Sequence, residues 1–92
     1  MTNQEIKKET GVDVTETIIT DEMVIVKFNI TNKKETGEVY YKIGRNEMSV
    51  DYHGKNGIGT GHDSFDYGQP LSKDNLLEAV EFGHNYLKDN LK

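Results

Sequence analysis

The chain contains no cysteine, which excludes disulfide staples and thiolate metal sites and gives no sign of an oxidising compartment. Long apolar runs are missing as well. The longest, Met23–Val26 and Val39–Tyr41, fall far short of the roughly 20 residues that a membrane-spanning helix requires. The opening stretch MTNQEIKKETG has no apolar segment of signal-peptide type. A cytoplasmic location is therefore expected, and a membrane partner is not. Basic residues are outnumbered, 11 Lys and Arg against 16 Asp and Glu, for a formal charge of −5. They do not gather either: Lys7–Lys8 and Lys33–Lys34 are pairs rather than stripes. Direct binding to nucleic acid or an anionic membrane is not expected from such a surface. Proline occurs once, at Pro70.

What is present reads as one α+β domain of 92 residues, long enough for a single core. Residues 3–10 form a short helix in this reading, with Thr2 or Asn3 as cap, Glu5 in the first turn, and Gly11 just past the end. Ile6 is its one apolar side chain for docking. From residue 12 the period changes to two, and residues 12–53 divide into four strands. In the first, Val12, Val14, Ile18 and Thr20 fall on one side, with Asp13, Thr15, Thr17 and Ile19 on the other. The second has Val24, Val26, Phe28 and Ile30 inward. Val39, Tyr41 and Ile43 continue the core face in the third strand, and Met48, Val50 and Tyr52 in the fourth. Short connections make the strands an antiparallel meander.

Residues 72–90 are the second long-period segment. Ser72 is its natural N-cap. Leu76, Val80, Gly83, Leu87 and Leu91 form an apolar stripe that covers the sheet. Gly83 within that stripe implies close approach to a bulky sheet residue such as Phe28 or Tyr41. His84 borders the stripe as a core-edge residue, and Phe82 lies off it on the polar side.

Between sheet and helix, residues 54–70 hold five of the nine glycines and the only proline. A structureless run of this length in a small domain is uncommon and is usually functional or mobile. Gly57-Ile58-Gly59-Thr60-Gly61 lacks the spacing of a dinucleotide or P-loop fingerprint, and no βαβ unit surrounds it. No nucleotide or other cofactor is expected. His53, His62, Asp63 and Asp66 offer imidazole and carboxylate groups suited to a metal or to acid–base chemistry, although their spacing matches no known site. Ser64 and Ser72 lack any local base-plus-orienter arrangement.

Phe65 and Tyr67 either anchor this run to the domain or project as recognition anchors. Ile19, Met23, Ile25 and Tyr40 populate the outer sheet face, where an exposed patch would mark a partner site. A helix–three-strand–helix outline would suggest a double-stranded-RNA-binding domain. This chain has an added strand, and Lys73 stands alone beside Asp74 where such a domain gathers basic residues. The reading is therefore a small acidic, non-catalytic protein-binding module, accessory or inhibitory in the manner of proteins on phages and other mobile elements. Its contact residues would be Phe65, Tyr67, Phe82, Ile25 and Tyr40. The alternative is a small-ligand or metal-binding domain built on His53, His62, Asp63 and Asp66. A homodimer through the outer sheet face or an edge strand is a further option.

Overall fold

The computed structural model describes residues 1–30, 35–54 and 61–90. It shows a short helix α1 (Asn3–Thr10), then strands β1 (Asp13–Ile19), β2 (Met23–Asn29), β3 (Thr36–Lys42), β4 (Glu47–His53) and β5 (Gly61–Asp66), and a helix α2 (Leu76–Asn90) entered through one 3₁₀ turn at Lys73–Asn75. The strands pair antiparallel in chain order. The class is the expected α+β, with one strand more than the sequence pattern indicates. Among the described residues no helix is long and apolar enough to cross a membrane.

Both helices begin with reciprocal caps. Thr2 Oγ1 accepts the Glu5 N–H at 3.2 Å, and Glu5 returns a bond to the Thr2 N–H at 2.9 Å. Ser72 Oγ accepts the Asp74 N–H at 3.2 Å, while Asn75 Oδ1 accepts the Ser72 N–H at 2.8 Å. Each pair satisfies donors that a helix start leaves open. Gly11 closes α1 at φ 76°, a conformation in which a Cβ is penalised. Ile6 is fully buried in the same core cluster as α2, and α1 lies against both β1 and α2. It therefore shares the face that α2 covers and does not shield the outer one.

A bulge corrects the expected phase of β1. Pairing passes from Val14–Phe28 to Glu16–Lys27, leaving Thr15 as the extra residue. Beyond it Thr17 stands opposite Val26 and Ile19 opposite Val24, so these two turn inward and Ile18 turns outward against Ile25. One inserted residue exchanges the faces of everything that follows it. Thr17 then reaches α1, donating to Asn3 Oδ1 at 2.6 Å, and Asn3 Nδ2 donates to the Thr15 carbonyl at 3.1 Å.

The supposed loop of residues 54–70 is corrected too. Residues 61–66 pair with β4 from Tyr52–Gly61 to Glu47–Asp66, and only the segment after Asp66 crosses to the helix side. That crossing is pinned to the β3–β4 turn by Tyr67 N–H to Asn46 O at 2.6 Å, Leu71 N–H to Arg45 O at 2.7 Å and Gly44 N–H to Leu71 O at 2.8 Å. Tyr41 donates its hydroxyl to Ser72 O at 2.7 Å, and burial raises its pKa to about 12. The Gly57–Thr60 part of the Gly-rich motif, the Lys33–Lys34 pair and Leu91 lie outside the described residues.

The core is one layer between sheet and helices. Val24, Val26, Phe28, Val39, Tyr41, Met48 and Val50 of the sheet meet Leu76, Ala79, Val80 and Leu87 of α2. Two glycines set the spacing. A Cβ at Gly83 would collide with Val39 Cγ1; the close neighbour is thus Val39, not Phe28 or Tyr41. Gly37 is a buried inward residue of β3. A Cβ there would meet Leu87 Cδ1, and Phe28 Cε1 at 2.9 Å. His84 is half-buried at the margin, its ring edge-on to Phe28 at 5.7 Å. Burial lowers its pKa, as the core-edge reading requires.

Helix propensity alone makes Gly83→Ala stabilising by up to about 1 kcal/mol. The packing reverses that sign, because Val39 is a stiff β-branched residue on a central strand. The expected result is a loss of about 1–3 kcal/mol in urea unfolding, partly recovered by adding Val39→Ala. A stabilised Gly83→Ala would show that the helix stands farther from the sheet.

Candidate functional site

Along β5 the alternation sends Asp63 and Phe65 toward α2 and His62, Ser64 and Asp66 to the outer face. α2 lies chiefly over β3 and β4, so β5 projects beyond it and is roofed by aromatic rings. Phe65 stands edge-on to Phe82 and to Tyr86, at 4.8 Å between centroids in each case. Phe82 and Tyr86 stack at 6.3 Å and 11°. These separations suit the favourable edge-to-face and offset arrangements of aromatic quadrupoles. Phe65 is half-buried, whereas Phe82 remains 43% exposed. Met48, Phe65, Tyr67 and Phe82, with Asp66 and Glu78 at the rim, line an open groove of about 450 Å³.

Two phenol–carboxylate bonds tie strand to helix across this flank: Tyr86 to Asp63 and Tyr67 to Glu78. Each carboxylate accepts a hydrogen bond from the neutral phenol and so raises the tyrosine's pKa, with burial adding to it.

The carboxylates are unevenly neutralised. Asp13 pairs with Lys7, Glu16 with Lys27 and Asp21 with Lys73, all away from β5. Among the described residues, no Lys, Arg or His stands within 4.0 Å of Glu47, Asp63, Asp66, Glu78 or Glu81. Glu78 and Phe82 are one turn apart on α2, and Asp89 returns to the same stripe two turns later. The β5–α2 flank therefore combines exposed aromatic surface with unneutralised acid.

The outer sheet face is different in kind. Ile18, Ile25 and Tyr40 are neighbours in one cross-strand row, which continues through Ser49 to Ser64. The first three are half-buried, and the row turns polar toward β5. In the next row, Glu38, Asp51 and His62 align. His62 Nδ1 bonds Asp51 Oδ1, while Ser64 Oγ lies 3.3 Å from His62 Nε2. His53 Nε2 lies 3.4 Å from Glu38 Oε1.

The sequence candidates consequently separate into three groups. Phe65, Tyr67 and Phe82 meet at the flank; Ile25 and Tyr40 sit on the opposite face. Of His53, His62, Asp63 and Asp66, the metal alternative, Asp63 faces the helix, and Asp66 accepts from Asn46 Nδ2 and from the Gly68 N–H at the far end of the strand. The four do not converge, and the described residues contain no group of three or more His, Asp and Glu placed to hold a metal ion. Phe65 and Tyr67 are packed against the core, which answers the anchor-or-projection question in favour of anchors.

Tyr86, Glu78 and Met48 are additions that sequence reasoning missed. The spacing Glu78, Phe82, Tyr86 at i, i+4, i+8 was the readable signal. Ser64 also gains an arrangement its local sequence does not show: His62, two residues before it, is held by the Asp51 carboxylate of the next strand. Compared with protein families, curated proteins and solved structures, the chain matches none.

The Tyr86–Asp63 bond is open to titration. Because the folded state holds the phenolic proton more tightly than the unfolded chain, the bond's contribution is complete below the ordinary tyrosine pKa of about 10. It is lost as pH rises through the elevated folded value. In ultraviolet titration, subtracting the Tyr86→Phe curve isolates this phenol, and Asp63→Asn is expected to bring its ionisation down toward about 10. An unmoved curve would mean that the bond does not form.

Proposed function

We propose that the protein is a non-catalytic binding module that holds a basic segment of a protein partner against the β5–α2 flank, in an accessory or inhibitory role. The observation that carries this reading is Phe82, 43% exposed in an aromatic cluster whose surrounding carboxylates have no Lys, Arg or His within 4.0 Å among the described residues. Rigid aromatic surface in a groove is what binding hot spots are made of. Unneutralised acid around it favours Lys and Arg, which also gain from lying over an aromatic face. The same charges steer a basic partner during encounter.

A second reading rests on the order Asp51–His62–Ser64. Asp51 accepts the Nδ1 proton of His62 and leaves Nε2 free to take the Ser64 proton as Oγ attacks an acyl carbon. The leaving alcohol then departs with that proton. His62 and Ser64 are both exposed, so this reading is confined to small activated esters. Labelling by a fluorophosphonate that is abolished in His62→Gln would support it, and an unlabelled Ser64 would remove it.

For the binding reading the probe is a fluorescent eight-residue peptide alternating lysine with valine and phenylalanine. Phe82→Ala is expected to weaken its binding about tenfold or more, and Glu78→Lys to weaken it further at low salt. Ile25→Ala and Tyr40→Ala, on the opposite face, leave it unchanged. Equal affinity in Phe82→Ala, or loss confined to Ile25→Ala and Tyr40→Ala, would overturn this assignment of the site.

A further inference from the structure

The two edges of the sheet are finished differently. At β1 the edge is interrupted by the bulge at Thr15, and the side chain of Asn3 from α1 occupies the Thr15 carbonyl at 3.1 Å. Bulges and covering elements are the usual means of closing an edge to further pairing. β5, at the other edge, has an unbroken six-residue register with β4 and contains no proline.

Which groups β5 leaves open follows from the ladder. Antiparallel pairs alternate between bonded and non-bonded residues. The Tyr67 N–H bonds Asn46 O at the end of the β4–β5 ladder, which makes Met48–Phe65 and Val50–Asp63 the bonded pairs. Two other bonds fix the same phase from across the sheet. Ile43 N–H to Glu22 O and Ile30 N–H to Glu35 O put the even residues of β2 in bonded pairs with the odd residues of β3. The even residues of β3 then bond β4, and the even residues of β4 bond β5. The N–H and C=O groups of His62, Ser64 and Asp66 consequently point away from β4, along an edge that no other described strand pairs with.

We infer that β5 is a strand-addition site: a basic, extended segment of the partner pairs with the free groups of His62, Ser64 and Asp66 and lays alternate side chains under Phe82. This rests on the binding reading above and names its mode, in which main-chain bonds supply affinity and side-chain pockets supply choice. Charge selects the occupant. Asp63 and Asp66 lie on the strand itself, with Glu78 and Glu81 on the neighbouring helix, so a second copy of this acidic chain brings like charges together. A lysine- or arginine-bearing strand brings opposite ones.

Proline at position 64 is the discriminating change. The Ser64 N–H makes no bond to β4, so Ser64→Pro removes an edge donor without removing a ladder bond, in the one sheet setting where proline is tolerated. Ser64→Ala keeps the N–H. With the lysine–valine–phenylalanine peptide as probe, Ser64→Pro is expected to lose at least tenfold in affinity with little change in melting temperature, and Ser64→Ala to bind as wild type. Independently of any variant, amide exchange in the wild-type complex should slow at His62, Ser64 and Asp66 by more than tenfold. Asp63 and Phe65, already bonded to β4, should not change.

If Ser64→Pro binds as wild type, or the three amides stay unprotected while Phe82→Ala still weakens the complex, strand addition is wrong and groove binding alone stands. No binding of the probe by the wild type overturns both. A wild type that sediments as a dimer, with Ser64→Pro a monomer, assigns the edge to a second copy and overturns the heterologous partner.

Discussion

The fold depends on how closely α2 approaches β3. Gly83 on the helix leaves room for Val39, and Gly37 on the strand leaves room for Leu87 and Phe28. The two contacts lie along the same helix–strand pair, one supplying the gap from each side. Because α2 sits low over β3 and β4, its flanks must be filled by other means. Over β1, Ile6 of α1 does so, fully buried. Over β5 the described residues place no second helix, and Phe65, Phe82 and Tyr86 take that place. The exposed aromatic surface is thus a consequence of where the glycines seat the helix.

Electrostatics follow the same division. Lys7, Lys27 and Lys73 sit near β1, β2 and the entry to α2, where they pair with Asp13, Glu16 and Asp21 through exposed contacts of little energetic weight. On the β5–α2 flank the acids engage phenols instead, Asp63 with Tyr86 and Glu78 with Tyr67. A phenol donates a hydrogen bond without cancelling the carboxylate's charge. The flank is thereby held together while keeping its negative field. The chain turns at Gly11, Gly44 and Gly68 with positive φ, which glycine tolerates.

The outer face gives the strand edge its polar character. The row from Ile18 through Ile25 and Tyr40 loses apolar content as it reaches Ser49 and Ser64, and the next row ends in Asp51 and His62, with His62 bonded to Asp51 and lying beside Ser64. Partner binding on the helix side and proton-transfer chemistry on the outer side would both centre on β5. The strand that joins them is the one least buried in the molecule.

Much of the fold was legible from local pattern. Period-two alternation identified β2, β3 and β4 because each carries at least two apolar side chains in alternation on one face. Thr2, Ser72 and Gly11 marked helix ends because capping is a matter of a few adjacent groups. β5 was illegible for the converse reason: in Gly61-His62-Asp63-Ser64-Phe65-Asp66 only Phe65 is apolar, so no alternation exists to read. The bulge at Thr15 was hidden because an inserted residue shows only against a partner strand. The site divided in the same way. Phe65, Tyr67 and Phe82 stood out by residue type, but their union with Tyr86, Met48 and Glu78, and the separation of Asp63 from His53 and His62, are matters of register. Local composition determined which segments extend or coil and which side chains lacked a core role. Pairing across the sheet decided which of them meet, since a side chain's face depends on neighbours distant in the chain.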